Sequence, residues 1–337
     1  MGWGWPDAHP PGPRPGRRAL LAGLAALASA PAARAQGEEP WPSRPVRLVI
    51  PFGAGGPIDT LGRLLAEHLR ERLGQPFVVD NRAGAGGSIG LRAVMQAPPD
   101  GHMLVLTSSS LASLHAMMPR EGLDPRDGAV TPLSLVADVP TTLVVRADGP
   151  VRDLAGLVAA ARARPGRLTY GSGGVGSSNH LSGALFGSRA AIEITHVSYR
   201  GAAPAMAALI AGEIDMVFAS TVETLGHVRA GRVRVLAVTT AERVPLLPEV
   251  PAAAEAVPGY VALNWYAMAG PRGLPPGVVA RLSATLAALR EESAVRDRIA
   301  GLGATPLFSA PEALAARLAE DVPLWQRVVA EAGIRAE

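Results

Sequence analysis

Pro45-Val46-Arg47-Leu48-Val49-Ile50-Pro51-Phe52-Gly53-Ala54-Gly55-Gly56-Pro57-Ile58-Asp59 passes from an apolar burst through a run of glycines into residues 60–73, where apolar side chains recur at helical spacing. That order reads strand, glycine loop, helix. Glycine lets the backbone turn tightly and bring N–H groups up to a bound oxygen, and the helix N-terminus adds a field that favours an anion. The loop is not a Walker loop, because the chain has no lysine, and Ile58 stands where G-x-G-x-x-G needs its third glycine. Phe52, Gly53, Ala54, Gly55 and Gly56 are therefore either ligand contacts or a tight structural turn. Asp59 is either a further contact or a helix cap.

Upstream, Arg14, Arg17 and Arg18 lead into an apolar run over 19–28 and then Ala33-Arg34-Ala35, a small-x-small pattern. The run is far below the roughly 20 residues that span a bilayer, so removal of residues 1–35 and export to the periplasm are expected. Arg17-Arg18 before Ala19-Leu20-Leu21 also fits a twin-arginine signal, although ordinary leaders carry paired arginines too.

Removing the leader changes the balance from 32 basic against 29 acidic residues to 28 against 28, so the mature chain is neutral. Every basic residue is arginine, the arginines are scattered, and aromatic residues make up only 4% of the chain. That argues against a nucleic-acid partner. With no cysteine, disulfides, thiolate metal sites and cysteine nucleophiles are excluded, and stability must come from packing.

Strand-like bursts recur over 46–50, 77–79, 103–107, 142–145, 168–170, 194–197, 216–218 and 233–238. Between most of them lie stretches of helical spacing at 61–73, 88–96, 154–164, 179–186, 203–211 and 222–230. The alternation predicts an α/β protein with mixed, largely parallel sheets. From Leu274 the texture is helical almost throughout, at 276–289, 293–301, 311–320 and 323–332, with Pro323 marking a kink or a fresh start. Segments near Pro140 and over 260–267 read as passages between two lobes, one of residues 36–140 plus 262–337 and the other of 141–261, with a ligand cleft between them.

Further glycine and serine loops follow the strands. Asn81-Arg82-Ala83-Gly84-Ala85-Gly86-Gly87-Ser88 repeats the first arrangement, with Arg82 either pairing a carboxylate or bracing Asp80. Ser108 and Ser109, within Thr107-Ser108-Ser109-Ser110, offer hydroxyls and N–H groups to an anion or serve as plain caps. Tyr170-Gly171-Ser172-Gly173-Gly174-Val175-Gly176-Ser177-Ser178-Asn179-His180 concentrates small polar groups into a second nest of donors. Within it His180 either meets a carboxylate or satisfies the loop. Arg200, in the turn before Ala202-Ala203-Pro204, reads as a charge partner or as an exposed brace.

Together these segments strongly resemble the TctC or Bug family of periplasmic receptors, the solute-binding proteins of tripartite tricarboxylate transporters. The resemblance rests on 41–52 with Gly55-Gly56 and Asp59, Gly74-Gln75-Pro76, Asn81-Arg82 with Gly84, Gly86-Gly87 and Ile89-Gly90, and Pro99-Asp100-Gly101. It continues through Pro165-Gly166 with 168–172, His180-Leu181, His196-Val197, Tyr199-Arg200-Gly201, Pro204-Ala205 and 229–237, and so covers essentially the whole mature chain. It implies a two-lobed Venus-flytrap receptor, expected as a monomer without cofactor or metal, that closes on a small organic carboxylate and delivers it to the transporter's membrane subunits. One clamp arm would be Phe52 to Asp59. The other would be the segment holding Ser172, Gly174, Val175, Gly176, Ser177 and His180, with Ser108 and Ser109 on the near wall. The chain departs from the family after Pro204-Ala205, where Met206-Ala207-Ala208 replaces an expected Asp, and after Val217-Phe218, where Ala219-Ser220 stands in place of another. Both departures favour a mono- or dicarboxylate over an amino acid, unless Asp215 or Glu223 compensates.

An enzyme needs a positioned nucleophile, acid–base group or metal, and there is no Ser-x-x-Lys or His-Glu-x-x-His here. A receptor that signals through a sensor protein would use the same clamp, so the sequence leaves that alternative to transport open.

Overall fold

Strand β1 (Val46–Ile50) is buried at every position but Arg47, with apolar residues on both of its faces, which calls for helices on either side of its sheet. Successive side chains of a strand point to opposite faces. Val46, Leu48 and Ile50 join Leu61, Leu65 and Leu69 of helix α1 (Pro57–Leu73) in one cluster. Val49 joins Leu91 and Val94 of α2 (Ser88–Met95) in another. The three leucines of α1 recur every four residues and form one stripe. Truncating the fully buried Leu65 to alanine is expected to cost about 2–5 kcal/mol. Gly62 lies on the same face, where a Cβ would run into the Ile50 side chain, so the helix rides close on the strand. Gly74, left-handed at φ 78°, ends α1 by donating its N–H to the Arg70 carbonyl.

The computed structural model describes residues 1–3, 41–117 and 124–334. The export signal, its cleavage site and the start of the mature chain at Gln36 lie outside the described residues. Residues Trp41–Glu337 form one compact unit containing two sheets. The first adds β2 (Phe77–Asn81), β3 (Met103–Ser108), β4 (Val130–Val139), β10 (Asn264–Pro271) and β11 (Thr305–Pro306), in the order β11-β4-β10-β3-β1-β2. The second holds β5 (Thr141–Arg146), β6 (Thr169–Ser172), β7 (Thr195–Ser198), β8 (Met216–Ser220) and β9 (Val233–Val238), in the order β7-β6-β8-β5-β9. Helices α3 (Ser110–Met117), α4 (Leu154–Ala163), α5 (Ser178–Ala190), α6 (Ala202–Ala211) and α7 (Thr221–Arg229) accompany these strands. The C-terminal segment supplies α8 (Pro276–Leu289), α9 (Ser293–Gly301) and α10 (Pro311–Glu331).

The fold is the two-lobed α/β type expected, but its sheets are not largely parallel. Among the described residues β1–β2, β1–β3, β6–β7 and β6–β8 pair parallel, whereas β10–β3, β10–β4, β11–β4, β5–β8 and β5–β9 pair antiparallel. The antiparallel pairs centre on β10 and β5, the strands by which the chain enters one sheet from the other. Such a strand arrives from the far end and runs against strands laid down by local crossovers. Sequence periodicity sees those crossovers and not the re-entries.

Two of the missed strands have local causes. β4 carries Pro132, opposite Ala269 at a register shift, and a proline is tolerated where a bulge relieves it of its ladder bond. β10 is buried at every position, so it shows none of the alternation that marks a half-exposed strand. At the C-terminus the stretches over 311–320 and 323–332 form the single helix α10, continuous through Pro323, with Leu318 and Trp325 both buried. Among the described residues no helix is long and apolar enough to cross a membrane.

Candidate functional site

Four helix N-termini open on one cavity of about 160 Å³ between the two sheets. Its wall takes Gly56, Pro57 and Ile58 from the start of α1 and Ser178 and Asn179 from α5. From α6 and α7 come Gly201, Ala202, Ala203 and Pro204, then Ser220 and Glu223. The volume lies below the ~300–1,000 Å³ of drug-sized sites, which suits a small solute.

The four termini differ in how their orphan N–H groups are met. On α5 the Ser177 hydroxyl accepts from the His180 N–H, and on α7 the Ser220 hydroxyl accepts from the Glu223 N–H. By contrast, α1 and α6 begin after Gly56 and Gly201, which have no side chain with which to cap them. The first helical hydrogen bond of α1 runs from the Thr60 N–H to the Gly56 carbonyl. Pro57 has no N–H, so Ile58 and Asp59 keep the N–H groups that no helical bond uses; on α6, Pro204 likewise leaves Ala202 and Ala203. Each sheet thus presents one uncapped helix end, carrying two backbone donors and the positive end of a helix dipole.

Asp59 braces the first loop. Its carboxylate accepts from the Gly55 N–H at 2.9 Å, from Arg63 Nε at 3.0 Å and from Asn81 Nδ2 at 3.0 Å. Asn81 Nδ2 also reaches the Phe52 carbonyl at 3.1 Å. Burial pushes the Asp59 pKa up, but the bonds from Arg63, Gly55 and Asn81 outweigh it and hold the carboxyl below the ordinary aspartate range. Phe52, Gly53, Ala54 and Gly56 line the cavity, while Gly55, at φ 80°, faces a neighbouring depression. A Cβ on Gly53 would stand 3.8 Å from the Arg200 carbonyl oxygen, so the two loops nearly meet there.

Ser108 lines the cavity and donates to Ser110 Oγ at 2.9 Å. Ser109 turns away and donates to Asn264 Oδ1 at 2.9 Å. With its oxygen so occupied, the Asn264 amide keeps its nitrogen as the donor end on the cavity wall. Tyr266 stands two residues along β10, its hydroxyl against Ser220 and Asn264. Ala219 is fully buried in the core while Ser220 reaches the cavity.

The other predicted arm lies one step back. Gly174 and Val175, with Gly84, Gly86 and Gly87, line a second chamber of about 680 Å³ that shares Phe52, Gly53, Arg200 and Gly201 with the first. Ser172 Oγ lies 2.6 Å from His196 Nε2 and 3.1 Å from the Gly174 N–H, which it accepts. The Gly176 N–H donates to His180 Nδ1 at 3.1 Å, so His180 supports the loop, its ring stacked on His196 with centroids 3.9 Å apart. Burial first, and then His196, lower the His180 pKa to about 3, and burial lowers that of His196 to about 4. Both rings are neutral near pH 7 and bring no positive charge to a solute. Arg82 braces the second loop through Asp80 at 2.8 Å.

The cavity residues that sequence reasoning passed over are Asn264 and Tyr266, in a segment read as a passage between lobes. The cue was present, since both are polar within the otherwise apolar run of β10. Among the described residues no group of three or more His, Cys, Asp or Glu is arranged to hold a metal ion.

Residues 61–334 match the model of the tripartite tricarboxylate transporter family receptor. The chain is 40% identical to the protein of the tcbD-tcbE intergenic region of Pseudomonas sp. strain P51, over 94% of each chain. Among solved structures it resembles Rpa4515 of R. palustris with adipate, at 37% identity and TM-score 0.82, covering 88% of this chain and 99% of the other. MatC of Rhodopseudomonas palustris with bound malate matches at 33% identity and TM-score 0.81, over 86% of this chain and all of the other.

Proposed function

The chain belongs to the tripartite tricarboxylate transporter receptor family, and from that premise we propose that its cavity holds the carboxylate of a small organic acid between the uncapped starts of α1 and α6. The protein is a periplasmic solute receptor, of a family and fold that bind rather than catalyse, and it delivers its solute to a transporter of the tripartite type.

The observation that carries the proposal is the pairing of two uncapped helix ends, one from each sheet, on one cavity. Backbone donors fixed in direction hold a planar anion without a lysine, a metal or a salt bridge. In this reading Gly53, Ala54 and Gly56 let the anion approach the first loop, and Ser108, Ser178 and Ser220 complete the wall. The loop from Ser172 to Ser177, with Gly174, Val175, Gly176 and His180 behind it, shapes the second side. Residues 36–140 with 262–337 form one lobe and 141–261 the other, and the receptor works as a monomer without cofactor. Adipate and malate in the related structures fit this chemistry. The helix ends and Arg200 around the cavity make a positive surround that favours mono- or dicarboxylates over an amino acid with its ammonium group.

Calorimetry on protein unfolded and refolded to strip carried-over solute tests the proposal, against a panel of small mono- and dicarboxylates and their uncharged amides. Saturable one-to-one binding of an acid, with its amide at least about 100-fold weaker, is expected. Equal binding of acid and amide would count against it.

A further inference from the structure

Glu223 occupies the third position of α7, where a capping-box glutamate folds back to its N-cap N–H. Ser220 does its half, accepting from the Glu223 N–H at 3.4 Å, but the glutamate does not answer. Both of its carboxyl oxygens are buried, and neither has a hydrogen-bond partner among the described residues. The stem stays partly accessible where it lines the cavity. Among the described residues Glu223 is the one lining side chain with buried polar atoms left unpaired.

Burying an unpaired polar group is costly, and burying a charged one more so. Burial accordingly pushes the Glu223 pKa up to about 7, so neutral and ionised forms coexist near neutral pH. In either form the group can accept a hydrogen bond. The residues sharing its wall are Ser220, Asn264, Tyr266 and the first residues of α5 and α6, with the exposed Arg200 at the rim. The helix ends and the arginine make that surround positive, which disfavours an ammonium group. A second carboxylate placed against Glu223 would meet a like charge. An uncharged hydroxyl meets neither penalty.

We infer that Glu223 is the specificity-determining residue of the cavity, its carboxyl turning out of its buried position to take a hydrogen bond from a hydroxyl of the solute, so that hydroxy acids are selected over their deoxy counterparts. This rests on the carboxylate reading above and narrows it to hydroxy-substituted acids. Removing the solute's hydroxyl leaves the carboxyl buried and unpaired, and a site built around a polar contact rejects the analogue that lacks it.

The test is calorimetry with glycolate against acetate, lactate against propionate and malate against succinate, on the wild type, Glu223→Leu and Glu223→Met. In the wild type at least one hydroxy acid binds about tenfold or more tightly than its deoxy partner, and both variants bring that ratio close to one. Methionine nearly matches glutamate in length, so it carries the test if the leucine variant does not fold. An unchanged ratio in a folded variant, or acids that bind the wild type without regard to the hydroxyl, would overturn the inference while leaving the carboxylate reading intact. Failure of every acid to bind the wild type would remove both.

Discussion

Gly86, in the second glycine loop, lies so close to Val175 in the loop of the opposite sheet that a Cβ on Gly86 would overlap the Val175 carbonyl oxygen. The two loops therefore touch backbone to backbone across the cleft, beside the cavity. Gly86 also adopts φ 64°, where a side chain is strained whatever the space.

Gly86→Val should weaken carboxylate binding by about tenfold or more while leaving most of the stability of the unliganded protein, because it obstructs the approach of the loops rather than the core. Calorimetry and thermal melting on the same preparation separate the two effects. Unchanged affinity would mean that this contact plays no part in the bound form.

Gly53 tests the cavity itself, since its φ lies outside the range that strains a side chain and its missing Cβ leaves only ordinary contact at 3.8 Å from the Arg200 carbonyl. Gly53→Val is expected to reduce affinity by at least about tenfold with a thermal midpoint within a few degrees of the wild type. A variant that binds normally would remove the first loop from the solute's surroundings.

Asp59→Ala should destabilise the protein by about 1–3 kcal/mol near pH 7 by stranding the Gly55 N–H and the donors of Arg63 and Asn81. Because the folded-state pKa is depressed, this contribution is present above the unfolded value near 3.8 and is lost as pH falls through the folded one. Urea unfolding at pH 7 and at pH 3 should show the gap between wild type and variant narrowing at the lower pH.

The stacked His180 and His196 predict a second pH effect. Both fold neutral, with pKa values of about 3 and about 4 against 6.5 in the unfolded chain, so the unfolded state binds the extra protons as pH falls below 6.5. Stability should decline from pH 7 to 4.5, and His196→Gln should flatten that decline in a series of thermal melts. Parallel curves for the two proteins would contradict the buried neutral pair.

What the sequence disclosed followed the range of its signals. The loop from Phe52 to Asp59 and the turn before Ala202 were legible because a strand, a glycine turn and a helix start are encoded within a dozen residues. The part played by Asp59 was left between cap and contact, because its partner Asn81 comes from another strand. Asn264 and Tyr266 escaped notice because β10 is buried on both faces and its place between β3 and β4 depends on a long return of the chain. The same return accounts for the antiparallel pairings that an alternation of strands and helices did not reveal. Arg200 was read as partner or brace, and its backbone carbonyl facing Gly53 is a relation that only the fold could supply.

The most direct measurement is a crystal structure of the receptor with the tightest-binding acid of the panel. The account predicts one carboxylate between the sheets, its oxygens about 2.7–3.2 Å from the backbone nitrogens of Ile58 or Asp59 on one side and Ala202 or Ala203 on the other. A carboxylate held by the Arg200 side chain, or lodged in the second chamber between Gly86 and Val175, would contradict it.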